Sequence, residues 1–168
     1  GVAAGMFPAA LGSQTGGSIL RPASYNGVVG LKPTFGRVSR HGVVPVAMSL
    51  DTMGPFTHTV EDAALMLNVL AGHDPLDPSS STRPVPDYRK AIGTQRTPPR
   101  IGLVTEYFYG KIDDETEAHT NAIAEKLAGA GATVEEVEDR FLERTGVQKR
   151  VVVSELLFEL FPAWLSLC

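Results

Sequence analysis

Only one cysteine occurs in the 168 residues, and it is the last of them, Cys168. No internal disulfide can form, which fits a reducing, cytoplasmic compartment. A zinc signature is missing as well: one thiol is too few for a cysteine cluster, and no two of the four histidines stand four residues apart. No apolar run is long enough to span a bilayer, so no membrane is expected as a partner. Basic charge is not in surplus either. Lys and Arg number 15 against 19 Asp and Glu, a net charge of -4, which argues against direct nucleic-acid binding. What remains is ordinary for a globular protein, with 43% hydrophobic and 20% charged residues and enough length for a real core.

Against that background one run carries chemistry: Gly12-Ser13-Gln14-Thr15-Gly16-Gly17-Ser18-Ile19-Leu20-Arg21-Pro22-Ala23-Ser24. Its glycines let successive backbone N–H groups turn toward one point and leave room for a substrate atom. A hydroxyl beside converging N–H donors is what acyl transfer needs, a nucleophile and a seat for the oxyanion. Taken alone, Gly-Gly-Ser is an ordinary flexible turn, and glycines ahead of a helix also cradle anions. The anion reading lacks the Gly-Lys-Ser/Thr that would complete a P-loop. The nucleophile elbow of α/β-hydrolases fails because Leu20 stands where its second glycine is required. The histidines His41, His58, His73 and His119 are not assigned to catalysis.

The run continues through Tyr25-Asn26-Gly27-Val28-Val29-Gly30-Leu31-Lys32-Pro33-Thr34-Phe35-Gly36-Arg37-Val38-Ser39-Arg40, then Gly42-Val43-Val44-Pro45, Ser49-Leu50-Asp51, Gly54-Pro55 and Thr59-Val60-Glu61-Asp62-Ala63-Ala64. This block closely resembles the amidase-signature family of serine hydrolases, which includes the amidase subunit of aminoacyl-tRNA amidotransferases. The resemblance is specific over 1–74 and loose from Pro98 onward. It implies a Ser–cis-Ser–Lys triad, a convergent alternative to Ser-His-Asp, with Ser18 as nucleophile and the N–H groups of Thr15, Gly16 and Gly17 as the oxyanion hole, Ser18's own N–H nearby. In the family the lysine and the bridging serine lie upstream. This chain opens at Gly1-Val2-Ala3-Ala4-Gly5 with no initiator Met, and is expected to be an internal fragment, cut at the C-terminus as well and inactive by itself. Two positions depart from the commonest signature: Gln14 replaces an aspartate, and Leu20 an arginine, which here comes one place later as Arg21. Losing both together leaves no unpaired buried charge and suggests a neutral or apolar amide as substrate.

The resemblance thus implies an amidase that hydrolyses a small-molecule carboxamide through an acyl-enzyme on Ser18, without metal or other cofactor. Two alternatives stay open. One is a glutaminase-type subunit working with amidotransferase partners; the other is a non-catalytic amidase-like binding module.

As for organisation, the resemblance implies an α/β fold, a mixed sheet covered by helices on both faces. The chain reads as part of one amidase domain: a signature core over 1–73, a Pro/Ser-rich surface crossing over 74–99, and a β-α-β unit with a terminal helix over 100–168. Residues 2–10 read as the end of a buried helix or a strand entry. Val28-Val29 and Val43-Val44 are β-branched pairs suited to short strands or turns. The clearest helix is 59–71, with Thr59 as N-cap and Asp62 at N3, Ala63, Met66, Leu67 and Leu70 as its packed face, and Gly72 as its end. A helical turn is expected near 88–92. Strands at 101–104 and 133–137 flank a helix at 115–129, which implies a parallel pair. Lys32, Arg37 and Arg40 are expected to pair with backbone carbonyls or solvate a surface, and Asp51 to cap locally. The helix predicted over 151–165 would expose Leu157, Phe158, Phe161 and Trp164, pointing to downstream structure or a partner, a second copy included.

Overall fold

A computed structural model describes residues 1–94, 97–105 and 109–137. They fall into two compact units, one within 1–94 and one within 97–137. The helix expected over 151–165 lies outside the described residues. No helix among the described residues is long and apolar enough to cross a membrane.

The first unit is built on a three-stranded antiparallel sheet. Strand β1 (Ala9–Gln14) is followed by helix α1 (Leu20–Asn26), strand β2 (Val29–Gly30), strand β3 (Thr52–Thr57), helix α2 (Val60–Leu70) and the short helix α3 (Tyr88–Ala91). The sheet order is β1-β3-β2, with Ala9 opposite Thr57 and Gln14 opposite Thr52. The strand entry expected within 2–10 therefore falls at Ala9, and Val29 of the β-branched pair enters β2, whereas Val43-Val44 lies in a loop.

The sequence does not announce β3, because Gly54-Pro55 interrupts it and proline is normally excluded from a central strand. The geometry shows why it fits. Leu31 N–H donates to the Pro55 carbonyl at 3.0 Å, and the return bond of that pair is the one proline cannot make. β2 has already ended at Gly30, so the ladder loses only this one bond. Gly54 is equally particular: a Cβ there would sit 2.0 Å from the Leu31 carbonyl oxygen.

Helix α2 starts as its sequence dictates. The Thr59 hydroxyl accepts from Asp62 N–H at 3.1 Å, and Glu61 and Asp62 occupy the first turn, where negative charge suits the helix dipole. Its buried residues are Ala63, Ala64 and Leu67, while Met66 and Leu70 are half-buried. Gly72 does not end the helix by a left-handed turn. The cap is Ala71, extended and bridged to Val38, and Gly72 N–H donates to the Arg37 carbonyl at 3.0 Å. Thr59→Ala should destabilise the protein by about 1 kcal/mol in denaturant titration, the usual cost of losing such a cap.

The core of this unit gathers Leu31, Val38, Ala63, Ala64, Leu67 and Tyr88, with Met53 and Ile92 packed against it. Tyr88 comes from the stretch expected to cross the surface. Most described residues of this stretch are exposed, as a surface crossing would be, while Asp77, Ser80 and Tyr88 are buried. Polar anchors draw it inward. Arg37 donates to the carbonyls of Arg83 and Pro84 and to the Tyr88 hydroxyl, so the expected pairing of arginines with backbone carbonyls is what pins this proline-rich segment down.

The second unit follows the β-α-β reading. Strands β4 (Arg100–Leu103) and β5 (Thr133–Glu136) pair in parallel around helix α4 (Asp114–Gly129). Asp113 caps α4 by accepting from Thr116 N–H at 2.7 Å, and Gly131 takes φ +101° just past the helix end, where a glycine is favoured. The α/β class holds. Among the described residues, the antiparallel and parallel pairings stand in two separate sheets.

Candidate active site

Strand β1 ends at Gln14 and α1 begins at Leu20. The loop between them holds every residue singled out for catalysis. Gly17 has φ +115°, a left-handed conformation that side-chain-bearing residues rarely adopt, and a Cβ there would press on the Arg21 side chain at 3.1 Å. Gly17 is buried, Thr15 and Gly16 are half-buried, and Ser18 is exposed. Arg21 N–H donates back to the Gly17 carbonyl at 2.9 Å, which fixes the turn that presents Ser18. Among the described residues, the N–H groups of Thr15, Gly16, Gly17 and Ser18 donate to no acceptor, and the Ser18 hydroxyl forms no hydrogen bond. The chain thus brings one exposed hydroxyl and four uncommitted donors into consecutive residues. Such an arrangement can hold a carbonyl oxygen as charge develops on it.

Two clamps hold the loop. The inner one is Gln14, 1% exposed, whose Oε1 accepts from the N–H groups of Ile19 at 2.9 Å and Leu20 at 3.0 Å. A single side chain therefore ties the start of the loop to its end. Both departures are buried and neither carries charge: Gln14 commits its Oε1 to the backbone, its Nε2 has no partner among the described residues, and Leu20 is 6% exposed.

The outer clamp is not legible in the sequence. The Thr15 hydroxyl donates to Oδ1 of Asp51, 36 residues away. Oδ2 of Asp51 accepts from Val46 N–H at 2.8 Å and Ala47 N–H at 3.0 Å, so the expected local cap is present but is half of the story. Arg40 braces the arrangement from behind. Its Nη1 donates to the carbonyls of Met48 at 2.7 Å and Asp51 at 3.2 Å, and its Nη2 to Ser79 Oγ at 2.6 Å. Its Nε lies 3.8 Å from Asp77 Oδ2, with both side chains nearly out of solvent, and the guanidinium sits 4.7 Å from the Phe35 ring centre. A cavity of about 240 Å³ opens beside these groups, lined by Thr15, Arg40, Val44, Met48, Asp51 and Leu76 among others.

Hydrogen bonding sets the ionisation of these acids. The Thr15 hydroxyl, then the Ala47 and Val46 N–H groups and the charge of Arg40, hold Asp51 below the ordinary 3.8 despite burial. Asp77 is lowered by the Ser79 hydroxyl, by the N–H groups of Arg40 and Ser79 and by the Arg40 charge, and Asp74 chiefly by the Ser39 hydroxyl. A depressed carboxylate stabilises the fold above its unfolded pKa, and that contribution is lost as pH falls through the folded value. The thermal midpoint should therefore drop on acidification below the ordinary 3.8, and Asp77→Asn should flatten that limb; a series from about pH 6 to about pH 2 tests it.

Comparison with known proteins fits this geometry. A glutamyl-tRNA(Gln) amidotransferase subunit from Acidobacterium capsulatum is 50% identical over 136 residues, 81% of this chain but 29% of its own length. The crystal structure of the corresponding amidotransferase subunit from Thermotoga maritima matches with TM-score 0.78 and 31% identity, over 97% of this chain and 42% of that one. A bacterial aryl acylamidase matches with TM-score 0.70 and 34% identity, over 82% of this chain and 28% of that one. The chain thus spans about three-tenths of the curated relative's length. The family model for amidases matches residues 1–154, and with it the chain belongs to the amidase family of hydrolases.

Proposed function

We propose that this chain carries the nucleophile of a carboxamide-hydrolysing site and belongs to a glutaminase-type subunit that releases ammonia for transfer to an aminoacyl-tRNA. The observation that carries the chemistry is the exposed Ser18 in a run of four N–H groups, Thr15 to Ser18, with no acceptor among the described residues. Ser18 Oγ attacks the amide carbon and its proton passes to a base. The resemblance gives that base as a lysine acting through a bridging serine, outside this sequence. The carbonyl oxygen, now an anion, is held by the N–H groups of Thr15, Gly16 and Gly17, with Ser18's own N–H nearby. The C–N bond then breaks as the nitrogen takes up the proton and leaves, and water cleaves the ester on Ser18. The half-identical relatives named as amidotransferase subunits support the setting.

A second reading is a free-standing amidase acting on neutral amides. It is favoured by Leu20, which removes a cation from the signature loop, and by the likeness to the aryl acylamidase. Ammonia release by the intact gene product separates the two. Glutamine turnover, together with co-purification of amidotransferase subunits, is expected from the first. Rapid turnover of neutral aryl amides without partners, and none of glutamine, would replace it with the second. No turnover of either would leave a binding module.

A further inference from the structure

We infer that Asp51 is a positioning residue for the loop that carries Ser18, acting by accepting the hydrogen bond of the Thr15 hydroxyl and fixing the loop at its entry. The inference rests on the proposal that Ser18 is the nucleophile.

The loop needs an outside anchor. Gly16 and Gly17 have no side chains to hold it, and Ser18 is exposed, its hydroxyl without a partner among the described residues, so Gln14 and Thr15 are the side chains left to do so. Gln14 fixes the far end, at Ile19 and Leu20. At the near end, just past the last ladder pair Gln14–Thr52, Thr15 supplies the side-chain tie, and its partner is a carboxylate with both oxygens engaged. An ionised carboxylate has no proton to give, so the Thr15 hydroxyl must be the donor. Its proton is committed to Asp51 and is not free for a substrate oxyanion. Thr15 thus serves the site through its backbone.

The anchor is itself anchored. The Asp51 carbonyl accepts from Arg40, and Arg40 is held by Met48, Ser79 and Asp77. The position of the loop is thereby referred to the buried polar groups of the 74–80 stretch. Arg40 also offsets the negative charge of Asp51, which would otherwise oppose an oxyanion forming nearby.

Asp51→Ala, which removes the acceptor, and Thr15→Val, which removes the donor, make the sharpest test. Asp51→Asn is the conservative variant: its oxygen can still accept from Val46 and Ala47 while its amide nitrogen donates to Thr15 Oγ, so the tie is kept with its direction reversed and kcat should stay within a few-fold of wild type. In the intact gene product, active sites are titrated with a serine-directed acylating probe, and kcat and KM are measured per titrated site. Asp51→Ala and Thr15→Val should each lower kcat roughly 10- to 100-fold, the scale of loss when a reacting group is misplaced by about an ångström. KM should stay near wild type, and Thr15→Ser, which keeps the hydroxyl, should restore kcat. A wild-type kcat per titrated site in both variants, with only fewer active sites, would overturn the inference and leave Asp51 as a cap of the 46–51 turn. Ser18→Ala is run in parallel: if it still turns over amide, the parent reading fails whatever Asp51 does.

Discussion

Ser18→Ala in the intact gene product should lower kcat/KM for amide hydrolysis by about 10⁴-fold or more, the scale seen when a nucleophile acting as a unit with its base is removed. The fold should be indifferent to the change. Ser18 is exposed, its hydroxyl bonds to nothing among the described residues, and surface substitutions of that kind usually shift stability by less than about 0.5 kcal/mol. A loss of activity without a loss of thermal midpoint separates this result from unfolding. Any activity left would come from the N–H donors and from binding, which survive the substitution.

Gly54→Ala should do the reverse and act first on the fold. Its Cβ would stand 2.0 Å from the Leu31 carbonyl oxygen, a backbone atom that cannot step aside without parting β2 from β3, and 2.9 Å from Pro33 Cδ, which the proline ring ties to the backbone. A destabilisation of more than about 3 kcal/mol is expected, beyond ordinary overpacking. The added methyl would also meet Ile19 Cδ1 at 3.1 Å, and Ile19 directly follows Ser18 and is fully buried. Activity should therefore fall together with stability. Gly12→Ala is the control. A Cβ there meets the edge of the Phe56 ring at 2.6 Å, and a half-buried ring can give way, so the cost should be clearly smaller. Equal midpoints for the two variants in chemical denaturation would contradict this reading of the sheet.

What can be read from the sequence is what local chemistry specifies. The Thr59 cap, the α2 face, the β4-α4-β5 alternation and the glycine-flanked serine each announce themselves within a dozen or so residues or by simple alternation, and each stands where the sequence puts it. What escapes is set by distant partners. Strand β3 is hidden because Gly54-Pro55 reads as a breaker, and only the early end of β2 makes the proline harmless. Tyr88 looks like surface because nothing in a proline-rich stretch says that Arg37 will pull it inward. At the site, the serine and its glycines are legible as chemistry. The two clamps are not: a glutamine that bonds five residues ahead and an aspartate that bonds 36 residues back leave no spacing pattern to find. Gln14 shows this most clearly, since nothing in its spacing says that its side-chain oxygen will accept from the Ile19 and Leu20 N–H groups.

The role of Ser18 is tested most directly by labelling the intact gene product with a serine-directed acylating probe and mapping the modified peptide by mass spectrometry. One adduct is expected, on the peptide containing Gly16-Gly17-Ser18-Ile19, absent from Ser18→Ala and proportional to the activity lost. An adduct on any other serine that accounts for the loss of activity would contradict the assignment of Ser18 as the nucleophile.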